Sequence, residues 1–283
     1  MKKLFTLTLA IVTALSFAGC AAKAPTTTQA PKATRTMTLA TTTSTQDSGL
    51  LDYLLPLFEK DSGIKVKVIA KGTGEAIALG KKGDADALLV HAKAQEEQFV
   101  KDGWGVKRYQ VCYNDFIIVG PKDDPAKLKE KAPKDVLNAF KILSDTKTSF
   151  ITRGDGSGTE TKEKAIWKAA KITPSGSWYV SAGKGMGAVL TMASEKKSYT
   201  LTDRATFLTM KDKLDLEIVT EKSKDLLNQY GAIMVNPAKY PSTKVKEATT
   251  FINWIVSEKG QKLIGEYGRT KFGMSLFIPN AIK

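Results

Sequence analysis

Two short segments hold the residues best suited to chemistry. Thr41-Thr42-Thr43-Ser44-Thr45-Gln46-Asp47 places five hydroxyls in a row between a β-like run and an apolar helical run. Arg153-Gly154-Asp155-Gly156-Ser157-Gly158-Thr159-Glu160 sets a guanidinium, three glycines and two hydroxyls in the same kind of junction. The first N–H groups of a helix have no intrahelical partner, so a hydroxyl-rich turn at a helix start is a cup of hydrogen-bond donors. Open α/β sheets place their ligands at that end of their strands. Ser44 with Asp47, and Ser157 with Glu160, also fit the capping box, the serine accepting from the third helical N–H while the acid reaches back. Capping alone accounts for the serines but leaves Thr41, Thr42, Thr43 and Thr45 unexplained. A hydroxyl can accept from the backbone and donate to an anion at once, so the two roles are compatible. The glycines permit close backbone approach, and Arg153 adds a planar fork suited to two oxygens of one anion. The plainer alternative for Arg153 is a surface pairing with Asp155.

Weaker signals of the same type occur at Lys71-Gly72-Thr73-Gly74 and at Ala182-Gly183-Lys184-Gly185-Met186-Gly187. Neither has the spacing of a Walker-A loop. Four such helix starts, two in each half of the chain, could converge on one point, and Lys162 and Lys184 are candidates for added charge. Roughly seven charge-assisted hydrogen bonds at about 1.5 to 3 kcal/mol each would sum to about 10 to 20 kcal/mol before desolvation is subtracted, against the about 12 kcal/mol of nanomolar binding.

An enzyme is the competing class. The single histidine, His91, closes an apolar run and reads as core or rim. Ser157 lacks the first and last glycine of a nucleophile elbow, and no His-Asp partner is evident. No Cys/His cluster suggests a metal, and no cofactor is expected. The Arg153-Gly154-Asp155 tripeptide spells an adhesion motif by coincidence.

The elements that must position these loops alternate in type. Runs at 37–42, 65–70, 87–90, 108–120, 148–152, 198–202, 216–220 and 230–235 read as strands. Helical spacing recurs at 49–60, after Gly74, at 95–101, from Pro133, at 159–171, 185–195 and 245–256. This is an α/β pattern on a largely parallel sheet. Two α/β blocks joined by the long run 108–120, with a helical segment returning after 230–235, predict two lobes linked by two crossing strands, closing on a ligand by a hinge. The expected lobes are 37–114 with 230–283, and 115–229.

Lys2 and Lys3 precede an apolar run that ends in Phe17-Ala18-Gly19-Cys20, which reads as a signal over 1–19 closing at a lipobox-like site with Cys20 the lipid anchor; Phe17 stands where such a site usually has Leu, so a conventional signal peptide is the alternative. Residues 20–36, Pro-punctuated and polar, read as a tether. Cys112 is then the only cysteine of the folded part, so no internal disulfide is expected. The formal charge of +14, lowered by two on removal of the leader, biases the chain toward anions. Its lysines are scattered and not gathered with aromatics, so no nucleic-acid groove is indicated.

TTTSTQDSGLLDYLLPLFEKDSG, KGTGEA, YNDFIIVGPKDDP, RGDGSGTETKE, GKGMGA and SYTLTDRATF, in this order, resemble the tungstate-binding subunit of bacterial Tup-type ABC importers. The likeness runs from Met37 to the C-terminus and includes FINWIVSEKGQKLI, read as one final helix. It implies the two-lobed periplasmic-binding-protein fold of type II and ligand contact at Thr42, Thr43, Ser44, Arg153, Ser157 and Thr159. The family's Gly-rich turns fall on Thr73, Gly74, Gly185 and Met186. It also implies an ABC permease as partner, an extracytoplasmic location and a membrane attachment through the N-terminal lipid. Lys184 stands where the family would carry Gln. Phosphate is the nearest rival ligand, because an Arg-x-Asp-x-Ser-Gly-Thr loop also resembles phosphate-binding subunits and Asp155 or Asp47 could accept a phosphate proton. A sensor of oxyanions would share the fold and pocket. Tungstate over molybdate rests on the resemblance alone.

Overall fold

The computed structural model describes residues 35–281, so the expected leader, Cys20 and all but the end of the tether lie outside the described residues. The described residues hold ten strands: β1 (Arg35–Thr42), β2 (Ile64–Lys71), β3 (Ala87–Val90), β4 (Gly105–Pro121), β5 (Phe150–Thr152), β6 (Tyr179–Ser181), β7 (Thr200–Asp203), β8 (Leu216–Thr220), β9 (Leu227–Val235) and β10 (Ile278–Pro279). The first sheet runs β10-β4-β9-β3-β1-β2. Its β1–β2 and β1–β3 pairs are parallel, whereas β3–β9, β4–β9 and β4–β10 are antiparallel. The expectation of a largely parallel sheet is therefore corrected to a mixed one. The reason is β4 and β9, which return along each other and impose antiparallel pairing on both neighbours.

Strand β4 serves both lobes. Through Asp115 it pairs with β9, and from Phe116 onward it pairs with β7 and β8. Side-chain alternation along its second half sends Phe116 and Ile118 into one cluster and Ile117 and Val119 into another. The first sheet divides its side chains in the same way. Met37, Leu39, Ala87 and Leu89 face the cluster of Leu54, Phe58 and Phe251, while Ala40, Leu88 and Val90 face that of Ala76, Ile77 and Phe99. Each such large apolar side chain contributes about 1.5 to 3 kcal/mol of burial. Cys112 is buried in the first of these clusters, as expected of a small core residue.

Helix boundaries follow local chemistry. Leu50–Ser62 opens after Gly49 at φ 76° and stops at Gly63 at φ 67°, and it buries Leu50, Leu51, Leu54 and Phe58 on one face. The final helix is not continuous. Val245–Ile255 ends, and Ser257 caps a second helix, Glu258–Glu266, by accepting from the Gly260 N–H at 3.2 Å. A serine three residues before a glycine N–H is an N-cap signal that the apolar pattern of FINWIVSEKGQKLI conceals.

Candidate anion-binding site

Four turns that follow strands meet where the two lobes face each other. β1 leads into the short helix Thr43–Asp47, β2 into Thr73–Lys82, β5 into Gly158–Ala169 and β6 into Met186–Glu195. Contacts across the cleft bring them together. Arg153 Nη2 donates to Thr43 Oγ1 at 2.7 Å, the Gly74 N–H to Gly156 O at 3.2 Å, and the Gly187 N–H to Asp47 Oδ2 at 3.0 Å. Thr206 Oγ1, at the start of the helix Arg204–Met210, donates to Ser44 O at 3.1 Å. The approach at Gly72 leaves no room for a side chain, since a Cβ there would fall 2.7 Å from Asp155 O. The expected convergence of the four helix starts is thus what the fold builds.

In the first loop the cap is Thr42, not Ser44. Thr42 Oγ1 accepts from the Thr45 N–H at 3.2 Å, and Thr42, still extended at φ −98° and ψ 154°, precedes the first helical residue. Asp47 does not reach back to Ser44; it accepts from Gly187 of the other lobe. The capping box expected for Ser44 and Asp47 is therefore corrected: the helix begins two residues earlier, and the acid lies beyond the third position. Thr42 Oγ1 also lies 2.7 Å from Thr45 Oγ1 and 3.1 Å from Ser44 Oγ. Thr41 turns away and donates to Leu89 O at 2.7 Å.

The second loop keeps its expected cap, Ser157 Oγ accepting from the Glu160 N–H at 3.1 Å. Glu160 Oε2 reaches past Ser157 to the Gly156 N–H at 2.6 Å, because the Ser157 N–H goes to Asp155 Oδ1 at 3.2 Å. Arg153 is 1% exposed. Its Nη2 serves both Thr43 and Asp155, at 2.7 and 2.5 Å, and its Nε serves Lys184 O at 3.3 Å. The pairing with Asp155 therefore exists, but inside the cleft and not on the surface. Arg153 Nη1, Thr159 Oγ1 and Thr73 Oγ1 are buried and have no hydrogen-bond partner among the described residues. Orphans also occur on Arg108, Asn114, Thr152, Trp178 and Thr243. Among the described residues, only at the converging loops do orphan donors come from both lobes together with a guanidinium. Such donors are expensive to bury unless something accepts from them.

The other predicted residues divide. Gly185 is the extended residue before Met186–Glu195 and touches Thr43, a Cβ there falling 3.3 Å from it. Met186 sends its side chain into the core with Ile117 and Phe207, leaving only its backbone at the cleft. Gly74 uses its N–H on Gly156. Lys184 is exposed, and Lys162 turns to Asp225 O at 3.1 Å, so neither ammonium joins the Arg153 cluster.

Three residues belong to the cleft that the sequence reading placed elsewhere or left unremarked. His91 bonds the first loop and is pushed down to about 4 by burial, with the Arg153 charge adding to the effect. Asn228 on β9 holds the other side of that ring at 2.9 Å. Asp203, fully buried, caps the helix that carries Thr206, and burial raises it to about 6. Asp47 is also raised, chiefly by burial. A lone histidine ending a strand was the only available signal; Asn228 and Asp203 had none.

Fold and cleft together define a two-lobed solute-binding protein, and the PBP superfamily domain matches residues 24–259. The chain is 54% identical, over the whole of both chains, to the tungstate-binding protein TupA of Peptoclostridium acidaminophilum. Among solved structures, the tungstate ABC transporter protein of Geobacter sulfurreducens is 49% identical, with a TM-score of 0.76 over 82% of this chain and 98% of that one. The tungstate-binding protein TupA of Desulfovibrio alaskensis G20 is 42% identical, with a TM-score of 0.72 over 88% and 100%. The chain belongs to the PBP superfamily and, within it, to the family of these TupA proteins. Among the described residues no helix is long and apolar enough to cross a membrane.

Proposed function

We propose that this chain captures tungstate between its lobes outside the cytoplasm and delivers it to the permease of an ABC importer, acting as a binding protein and not as an enzyme. The observation that carries the reading is the set of buried donors without partners, Thr73 Oγ1 from the first lobe with Arg153 Nη1 and Thr159 Oγ1 from the second. Thr43 and Ser157 add hydroxyls whose oxygens already accept within the protein, so their hydrogens are available to an anion. Ser44, Gly185 and the Met186 amide complete the proposed contacts, Thr42 supports Ser44 from behind, and Gly74 serves closure. The fixed charge of Arg153 and the helix starts favour a dianion.

The acids support a ligand that carries no proton. Asp155 has one oxygen on Arg153 and the other on the Ser157 N–H, while Asp47 holds the Gly187 N–H. A protonated phosphate would be better served by a free acceptor than by carboxylates already engaged. Tungstate over molybdate follows the TupA relatives. We assign the lobes as 37–114 with 230–283 and 115–229, and we assign residues 1–19 to a leader and Cys20 to a lipid anchor. A competition titration with tungstate, molybdate, sulfate and phosphate tests the ligand. Tungstate should bind most tightly and phosphate most weakly; preferred phosphate, or indifference to all four, defeats the reading.

A further inference from the structure

His91 is the buried group of the cleft that this function leaves unused. It is 5% exposed and packs against Tyr230 at a ring separation of 4.9 Å. Gly158 lies against it so closely that a Cβ there would fall 2.8 Å from the imidazole. Its two nitrogens face different partners. Nδ1 is 2.9 Å from Asn228 Oδ1, while Nε2 is 2.9 Å from Ser44 Oγ and 3.0 Å from Thr42 Oγ1. Asn228 in turn donates from Nδ2 to Asn114 Oδ1 at 2.7 Å. Asn228 Oδ1 can then only accept, so Nδ1 carries the hydrogen and Nε2 presents a lone pair. Its depressed basicity keeps the ring neutral near pH 7.

We propose, resting on the oxyanion reading above, that His91 is a positioning residue of the anion site. Its bare Nε2 holds the hydroxyls of the first loop to both crossing strands, and it exchanges the Ser44 hydrogen for that of Thr42 when an anion arrives. Hydrogen accounting supports the exchange. Thr42 Oγ1 accepts from the Thr45 N–H and lies within hydrogen-bond distance of the Thr45 hydroxyl. Where the Thr45 hydroxyl donates to Thr42, the Thr42 hydrogen has two destinations, Ser44 Oγ or His91 Nε2. Without an anion, Thr42 donates to Ser44 and Ser44 donates to His91, leaving no hydroxyl hydrogen of the pair unsatisfied. With an anion, Ser44 turns its hydrogen to the ligand and Thr42 donates to His91. The heavy atoms stay in place through both states, which is what a preorganised site requires. The chain of bonds ends on Asn228 of β9 and Asn114 of β4, so the same ring fixes the loop against the strands that join the lobes.

Because His91 is the only histidine of the sequence, untagged protein labelled with nitrogen-15 gives a single pair of imidazole resonances. They should show a protonated Nδ1 and a bare Nε2 at pH 7, with and without tungstate. Saturating tungstate should move the Nε2 resonance more than that of Nδ1, and Ser44→Ala should abolish that movement. In calorimetry, His91→Phe should weaken tungstate binding by about tenfold or more, with His91→Gln recovering part of the loss. An Nε2 that carries the hydrogen overturns the proposal, as does a folded His91→Phe protein that binds tungstate like wild type. If His91→Phe does not fold, the spectrum of the wild-type protein decides alone. Wild-type protein that binds none of the anions overturns the oxyanion reading itself, and this inference with it.

Discussion

The two loops that carry the candidate site solve opposite problems. In the first, Thr42, Ser44 and Thr45 bond one another and His91, so the hydroxyls are largely satisfied by protein and their positions are fixed before any ligand arrives. In the second, Arg153 Nη1 and Thr159 Oγ1 are buried with no partner among the described residues, and the loop supplies the fixed positive charge. One loop offers a finished mould; the other offers unspent donors. A ligand that bridges them gains most from the second loop, where bonds form that did not exist before, and gains orientation from the first.

Removing the charge should break this division most visibly. Arg153→Ala deletes the orphan Nη1, the bond to Thr43 and the counter-charge of Asp155, which would then face a bound dianion. Charged hydrogen bonds are worth about 1.5 to 3 kcal/mol each, so a loss on the order of a hundredfold or more in tungstate affinity is expected. Calorimetry at fixed ionic strength measures it. Affinity within threefold of wild type would show that the second loop does not hold the ligand.

The support beneath the second loop makes a prediction of its own. Glu163 lies one turn into Gly158–Ala169 and is 1% exposed, with Oε1 accepting from Trp167 Nε1 at 3.0 Å and Tyr179 OH at 2.7 Å. Burial is the main cause that raises its carboxyl to about 7. A folded-state value above the unfolded one means that its contribution to stability is complete below the unfolded pKa and is lost as pH rises through about 7. Glu163→Gln keeps an acceptor without the charge. It should therefore match wild type near pH 5 and exceed it near pH 8, by on the order of 1 to 2 kcal/mol. Thermal melts at the two pH values check this, and parallel curves for the two proteins would contradict it.

The second loop was also the more legible in sequence. Arg153, Ser157, Glu160 and the glycines lie in one run, and Ser157 caps as expected. The first loop was legible only as a row of hydroxyls. Its cap is Thr42 because the helix starts at Thr43, a two-residue difference that capping chemistry does not resolve within a run of Thr and Ser. Asn228 and Asp203 could not be read at all, since their roles depend on strands that meet only after folding, β9 with β3 and β7 with β4. The α/β order and the crossing of β4 were visible in apolar periodicity. The direction of β9 was not, because alternation of side chains is the same in parallel and antiparallel strands.

A matched pair of hydroxyl deletions sharpens the contrast between the loops. Thr159→Val removes an orphan donor, so it should lower affinity by about tenfold while leaving thermal stability unchanged or slightly raised. Thr42→Val removes the N-cap and three further contacts of Thr42 Oγ1, so it should cost stability, about 1 to 2 kcal/mol. Melting curves and tungstate titrations on both variants give the comparison. Equal losses of stability at the two positions would erase the distinction between mould and donor.

The smallest effect is expected at Lys184, where related proteins are expected to carry Gln. Its backbone is tied to Arg153 in both directions, the amide donating to Arg153 O at 3.3 Å and the carbonyl accepting from Arg153 Nε at 3.3 Å. Neither bond depends on the side chain, which is exposed and makes no ion pair among the described residues. The ammonium therefore acts on the ligand only through space, across a distance that salt screens with a length of about 8 Å at physiological ionic strength. Lys184→Gln should change tungstate affinity by less than about twofold at 0.15 M salt and by a few-fold at 0.01 M, where screening extends to about 30 Å. Titrations at the two salt concentrations separate this long-range attraction from direct contact. A tenfold loss that persists at the higher salt would place the ammonium on the ligand and give the second loop a second cation.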